Sequence, residues 1–227
     1  MMSRFQLFCI CFLAWQGAGA GNISGIVRAH GKEAAGDASD TGSYGSKKLK
    51  FVQRINYDDM RDFVVYIKGP LAGSPTPTKV ERIVQKDATF IPHVLPIMVG
   101  TVVEWPNEDS IYHNVFSKSD VNPFDLDLYK RGDPPKKSPA FTKPGEVDVF
   151  CSIHSRMSCV ILVLENPYFS ISDSRGHYII TNIPPGHYTL VAWQERLPSD
   201  TREIVVPESG DLSGIDFTLG IKNLPKS

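Results

Sequence analysis

Short apolar runs, many of them alternating and most bounded by glycine or proline, recur along the chain and constrain its fold more than any other feature. Asp62-Phe63-Val64-Val65-Tyr66-Ile67 stops at Gly69-Pro70, and Thr101-Val102-Val103-Glu104-Trp105 stops at Pro106-Asn107. Pro144-Gly145 opens Glu146-Val147-Asp148-Val149-Phe150. The runs 23–28, 111–116, 178–180, 188–193, 203–206 and 215–219 read the same way, those at 178 and 188 following the turns Asp173-Ser174-Arg175-Gly176 and Pro184-Pro185-Gly186. No helical period lasts beyond a turn or two. Repeated short strands with turn residues between them predict an all-β chain, folded as two β-sandwiches, since each strand must bury a face against another sheet. Val80, Ile83 and Val84 suggest a further strand, and Thr89-Phe90-Ile91-Pro92 a bend. Two stretches break the pattern. Residues 33–50 are small, polar and rich in Gly and Ser, and read as a mobile surface loop. Residues 118–139 are charged and Pro-rich, and read as a long exposed loop.

The first twenty residues stand apart. Arg4 precedes an apolar run from Phe5 to Trp15, and the segment ends in Ala18-Gly19-Ala20. That is the layout of a secretory signal cleaved after Ala20. The run is shorter than the about 20 residues needed to span a bilayer, and no later stretch qualifies. An exported protein of 207 of the 227 residues is expected, periplasmic or secreted, with no transmembrane segment after cleavage. Cleavage removes Cys9 and Cys11 and leaves Cys151 and Cys159, so four cysteines that suggest a disulfide framework reduce to two. Cys159 opens the apolar run Val160-Ile161-Leu162-Val163-Leu164 and reads as buried and inert. A formal charge of −1 and a pI of about 6.6 give no electrostatic case for nucleic acid or an anionic membrane as partner.

The chemistry gathers in Cys151-Ser152-Ile153-His154-Ser155-Arg156-Met157, with a second imidazole upstream at His113. Two imidazoles and a thiolate with a weak axial thioether form the ligand set of a blue-copper electron-transfer site. Each residue alone has a plainer reading: a small buried cysteine, a core methionine, a surface histidine. Together, in an exported β protein, they point to copper. Zinc is the rival metal, although it seldom takes thioether and its structural sites favour more thiolates. His30 and His93 read as exposed turn residues without a role, and His177 and His187 as surface residues.

The segment Phe90-Ile91-Pro92, Gly100-Thr101-Val102-Val103-Glu104-Trp105-Pro106-Asn107, His113-Asn114-Val115, Pro144-Gly145 and Phe150 to Met157 resembles the cupredoxin family over residues 79–166, with a short Cys-x2-His-x2-Met loop similar to that of amicyanin. The resemblance implies a Greek-key β-sandwich holding one type 1 copper ion. It implies His113, Cys151 and His154 as equatorial ligands and Met157 as the axial one. Asn114 would tie the His113 strand to the cysteine loop. Ser155 stands where many such loops carry proline. Bacterial proteins of the methylamine-utilization or plastocyanin-like kind are similar overall. The segment 173–190 resembles the carboxypeptidase regulatory-like (transthyretin-like) domain, whose opening strands match Gly25-Ile26-Val27 and Val64-Val65-Tyr66. The expected layout is a signal at 1–20, a cupredoxin at 79–166, and a smaller regulatory-like sandwich split between 21–74 and 167–220.

Three functions follow as expectations. The leading one is a one-electron carrier, not an enzyme, that serves a transient redox partner such as a cytochrome or dehydrogenase. His154 would be its exit, and Ile153 and Pro106 would form part of an apolar docking patch with Met157. The charges of 118–139 (Asp125, Asp127, Lys130, Arg131, Lys136, Lys137) would be a solvated loop or, less simply, would set partner choice. The alternatives are copper transport or resistance, and a metal-free interaction module. No Gly-rich phosphate loop or Ser/His/Asp motif argues for a hydrolase.

Overall fold

The computed structural model describes residues 19–31 and 56–220. The readings of 33–50 as a loop and of 1–18 as the body of a signal lie outside the described residues. Those described contain strands and no helix, so the chain is all-β. The strands are β1 (Gly21–His30), β2 (Val64–Ile67), β3 (Glu81–Arg82), β4 (Val84–Lys86), β5 (Thr89–Ile91), β6 (Val94–Met98), β7 (Val103–Trp105), β8 (His113–Ser117) and β9 (Phe124–Tyr129). They continue as β10 (Lys136–Lys137), β11 (Gly145–Phe150), β12 (Ser158–Leu164), β13 (Phe169–Ile171), β14 (His177–Ile183), β15 (Gly186–Gln194), β16 (Leu197–Val206) and β17 (Phe217–Gly220).

Two hydrophobic cores follow from the alternation. The five-stranded sheet β6-β12-β11-β8-β9 packs Val115, Val147, Val149, Ile161 and Val163 against Phe90, Val103 and Trp105 of the smaller sheets β10-β7-β3 and β4-β5, and against Ile83 between β3 and β4. The second body places Ile23, Val27, Ile180 and Phe217 of the sheet β14-β1-β17 against Val65, Ile67, Leu190 and Ile204 of the sheet β13-β2-β15-β16. Here β1 pairs with β14 and β17, and β2 with β13 and β15, so strands from both ends of the chain share these two sheets. Gly176 makes the close approach possible. Its φ is +85°, and a Cβ there would lie 2.2 Å from the carbonyl oxygen of Val27.

The run 160–164 is continuous rather than alternating because β12 is buried on both faces. Cys159, Ile161 and Val163 enter the first core. Val160, Leu162 and Leu164 meet Val64 and Trp193 of the second body in a third apolar cluster, which also takes in Val94. Period two serves β2 in the same way: Val65 and Ile67 face their own core, Val64 and Tyr66 this seam. Polar contacts cross it as well. The indole Nε1 of Trp193 donates to Glu146 at 3.2 Å, and His93 Nε2 lies 2.9 Å from a Glu195 oxygen.

Three expectations are corrected. Residues 118–139 are not one open loop, since they contain β9 and β10. Leu126 and Tyr129 point into the core while Asp125 and Asp127 face solvent, and the two buried positions lie three apart because the register shifts around Asp127, whose φ is +56°. His93 has a partner, Glu195, and bridges the two bodies. His30 ends β1 rather than forming a turn. His177 is exposed with its Nδ1 3.2 Å from Asp173, and His187 is exposed.

The hydrogen bond with Glu195 raises the His93 pKa above its ordinary 6.5 against the opposing effect of burial, and the same bond lowers that of Glu195 below 4.5. A raised histidine pKa stabilises the fold fully below 6.5 and ceases to as pH rises through the folded-state value; a lowered carboxylate pKa stabilises above 4.5 and ceases to as pH falls through its folded value. The difference in Tm between wild type and Glu195→Gln is therefore expected to be greatest between these values and to narrow in alkali. A difference that stays flat from about pH 5 to about pH 9 would contradict the pairing.

Candidate metal centre

β8 and β11 are antiparallel neighbours with Phe116 opposite Phe150. Continuing that register brings Asn114 and His113, at the start of β8, alongside the residues that follow β11. The structure brings His113, Cys151 and His154 together. Their Nδ1 atoms are 3.0 Å apart, and Cys151 Sγ lies 3.9 Å from His113 Nδ1 and 3.8 Å from His154 Nδ1. A metal bound in a trigonal plane at about 2.0 Å from nitrogen and about 2.3 Å from sulfur would separate the nitrogens by ~3.5 Å and sulfur from nitrogen by ~3.7 Å. The sulfur–nitrogen edges fit that triangle, and the shorter nitrogen edge corresponds to an N–metal–N angle of about 100°. The donors are one soft and two borderline, as copper requires.

Local hydrogen bonds account for the shape of the loop. The Met157 N–H donates to the His154 carbonyl at 2.9 Å, closing a four-residue turn, and the Cys151 N–H donates to the Met157 carbonyl at 3.2 Å. Ser155 occupies the second position of this turn, where proline would preset φ. Met157 is 1% exposed and belongs to the same core cluster as Cys151. Asn114 Oδ1 accepts from both the backbone N–H and the hydroxyl of Ser152, at 2.7 and 2.8 Å, so β8 is tied to the loop.

Asp109, in the turn before β8, is the site residue that the sequence did not single out. Its Oδ2 lies 2.8 Å from His113 Nε2, and the N–H groups of Asp87 and Ala88 hold the carboxylate in place. Burial alone would raise its pKa, but the donors from Ala88, His113 and Asp87 outweigh that and hold it below the usual carboxylate range. An ionised carboxylate only accepts, so Nε2 carries the ring proton and Nδ1 turns its lone pair towards Cys151 and His154. The spacing i, i+4 from an acid to a histidine was the available signal.

Behind the site, Tyr129 Oη donates to the Trp105 carbonyl at 2.6 Å, and Asn107 Nδ2 donates to the Tyr129 carbonyl at 2.9 Å. Burial, with a contribution from nearby Cys151, keeps the Tyr129 hydroxyl protonated far above its ordinary range, against the Gln85 hydrogen bond. Cys159 is buried and its thiol is pushed well up, chiefly by burial. At the surface, His113 is fully buried whereas His154 is half-buried. Ile153 is 51% exposed, Pro106 is partly covered, and Ile111 and Tyr112, which sequence reading did not single out, are about half exposed beside His113.

No protein-family model matches the chain, and no curated protein matches it. Solved structures do resemble it. A copper-containing nitrite reductase from Thermus scotoductus is 30% identical over 43% of this chain and 25% of its own, with a TM-score of 0.36, so the match spans a quarter of that enzyme's length. A purple cupredoxin from Nitrosopumilus maritimus is 26% identical over 37% of this chain and 98% of its own, with a TM-score of 0.33. Amicyanin from Paracoccus versutus is 21% identical over 44% of this chain and 96% of its own, with a TM-score of 0.34.

Removing the carboxylate behind His113 frees the ring to change tautomer and rotate. Asp109→Ala is expected to weaken Cu(I) binding about 10–100-fold, measured by chelator competition. Unchanged affinity would show that Asp109 does not orient the ring.

Proposed function

We propose that this chain is an exported type 1 copper protein that carries single electrons between redox partners. The observation that carries the reading is the convergence of His113 Nδ1, His154 Nδ1 and Cys151 Sγ on one point. His113, Cys151 and His154 would hold the ion, with Met157 as a further, weak sulfur donor. Copper bound there supplies one reversible electron, as Cu(II) and Cu(I). Asp109 and Asn114 hold the donors in place from behind, which favours both oxidation states of one geometry.

His154 would be the exit, because its ring reaches the surface while that of His113 is fully covered. Ile153, Pro106, Ile111 and Tyr112 would give a transient partner, a cytochrome or a dehydrogenase, a small apolar docking rim. The ligands occupy the donor positions without providing a substrate place, which favours a carrier over an enzyme. Export would follow from a signal at residues 1–20 and place the protein in the periplasm or outside the cell. Among the described residues no helix is long and apolar enough to cross a membrane. The 79–166 segment would be the cupredoxin, and the strands of 21–74 and 167–220 one regulatory-like domain around it, a division supported by β1 and β2 pairing with the C-terminal strands.

Loading the protein with Cu(II) is expected to produce an intense thiolate-to-copper visible band that Cys151→Ser abolishes. No band in the wild type would remove the electron-transfer reading. Repeated reduction and reoxidation without copper loss separates a carrier from a transport protein. On the carrier reading, Ile153→Asp slows electron self-exchange about tenfold through like-charge repulsion at the docking rim, with the visible spectrum unchanged. An unaltered rate would place docking elsewhere.

A further inference from the structure

We infer that the second β body positions the metal loop, through two hydrogen bonds in series from Glu195 to His93 and from His93 to the residue that follows Met157. The inference rests on the copper reading above and names an arm of the molecule that acts on that site from outside its own sandwich. Glu195 lies in the turn between β15 and β16, in the second body. Its carboxylate is 2.9 Å from His93 Nε2, and His93 Nδ1 is 3.1 Å from the carbonyl oxygen of Ser158. The backbone of His93 reaches the same strand, since the Val160 N–H donates to its carbonyl at 2.8 Å. Main chain and side chain of one residue thus grip the first three residues of β12.

Both neighbours of the ring are acceptors, a carboxylate and a carbonyl. The imidazole satisfies them together only with a hydrogen on each nitrogen, which fixes its plane and leaves no equivalent flipped position. Glu195 is itself held, because its side chain is four-fifths covered and the turn around it is closed by the Arg196 N–H donating to Gln194 Oε1 at 2.7 Å. Ser158 is the next residue after Met157, whose own carbonyl and N–H close the loop onto Cys151 and His154. A displacement of Ser158 therefore passes directly to Met157 and to the turn carrying His154. The potential of a blue-copper site responds to its weak axial donor, so a contact that holds Met157 in place tunes the site without touching it.

The test uses the full chain in three variants: Glu195→Gln, His93→Ala and, as a control, Trp193→Phe, which removes another polar contact across the seam, that with Glu146 at the end of β11 remote from Cys151. In metal-free protein, amide exchange at Met157 is expected to be about fivefold faster in Glu195→Gln and His93→Ala, the effect of losing one partly exposed charged bridge, and unaltered in Trp193→Phe. In copper-loaded protein the potential and the charge-transfer band move in the same direction in both variants. The double variant moves no further than either alone, because the two bonds act in series. Lowered Tm with Met157 exchange, potential and band all unchanged overturns the proposal and leaves the pair as a strut. A wild type with no charge-transfer band overturns the copper reading instead, and the amide-exchange arm then decides the positioning by itself.

Discussion

Burial of β12 on both faces is the constraint on which the remaining structure depends. This strand leaves the Cys151–Met157 loop, and one set of its side chains builds the first core while the other builds the seam to the second body. Each fully buried side chain of this size contributes about 1.5–3 kcal/mol, whereas a partly exposed bridge such as His93–Glu195 contributes at most about 1 kcal/mol. The seam therefore holds the bodies together by apolar burial. Its polar contacts decide orientation: they favour one register of Trp193 against β11 and of the β15–β16 turn against the loop.

Register also decides whether a donor cluster exists. Phe116 opposite Phe150 brings His113 to the loop, and sliding β8 by one residue would turn every side chain of that strand to the other face. Val115 and Val149, buried in the common core, oppose such a slip. Asp109 and Asn114 complete the arrangement, one from the turn before β8 and the other from within it. Stability and site geometry are thus determined by the same alternation of side chains.

What was legible in the sequence was what is local. Strands such as β2, β8 and β11 carry their own period and their own turn residues, and the donors are rare residue types packed into one short loop. Less legible is what depends on a remote partner or on an irregular strand. Leu126 and Tyr129 both enter the core although three residues apart, because the register of β9 shifts around Asp127, whose φ is +56°, and the charges of Asp125, Asp127, Lys130 and Arg131 make the same stretch look like a solvated loop. His93 meets Glu195, 102 residues further along the chain, and nothing near either residue announces the other. Asp109 was nearer, four residues from His113, yet its meaning depends on which ring nitrogen faces the cluster, a property that only coordinates display.

The two histidines of the cluster are not equivalent, and the difference constrains any traffic through the site. His113 is enclosed on one side by the core and on the other by Asp109, whose anchored carboxylate binds its outer nitrogen. His154 has the loop turn beneath it and solvent at its edge. Ile153, Ile111 and Tyr112 are exposed near the two histidines, with Lys130 placed 5.2 Å over the Tyr112 ring and Arg156 exposed in the loop itself. On the proposed carrier reading, a partner approaching here would gain a modest apolar area, and a molecule with a formal charge of −1 would add no strong steering field to prolong the contact. On the proposed reading, the buried histidine, anchored carboxylate and apolar rim would together direct exchange with the outside to His154.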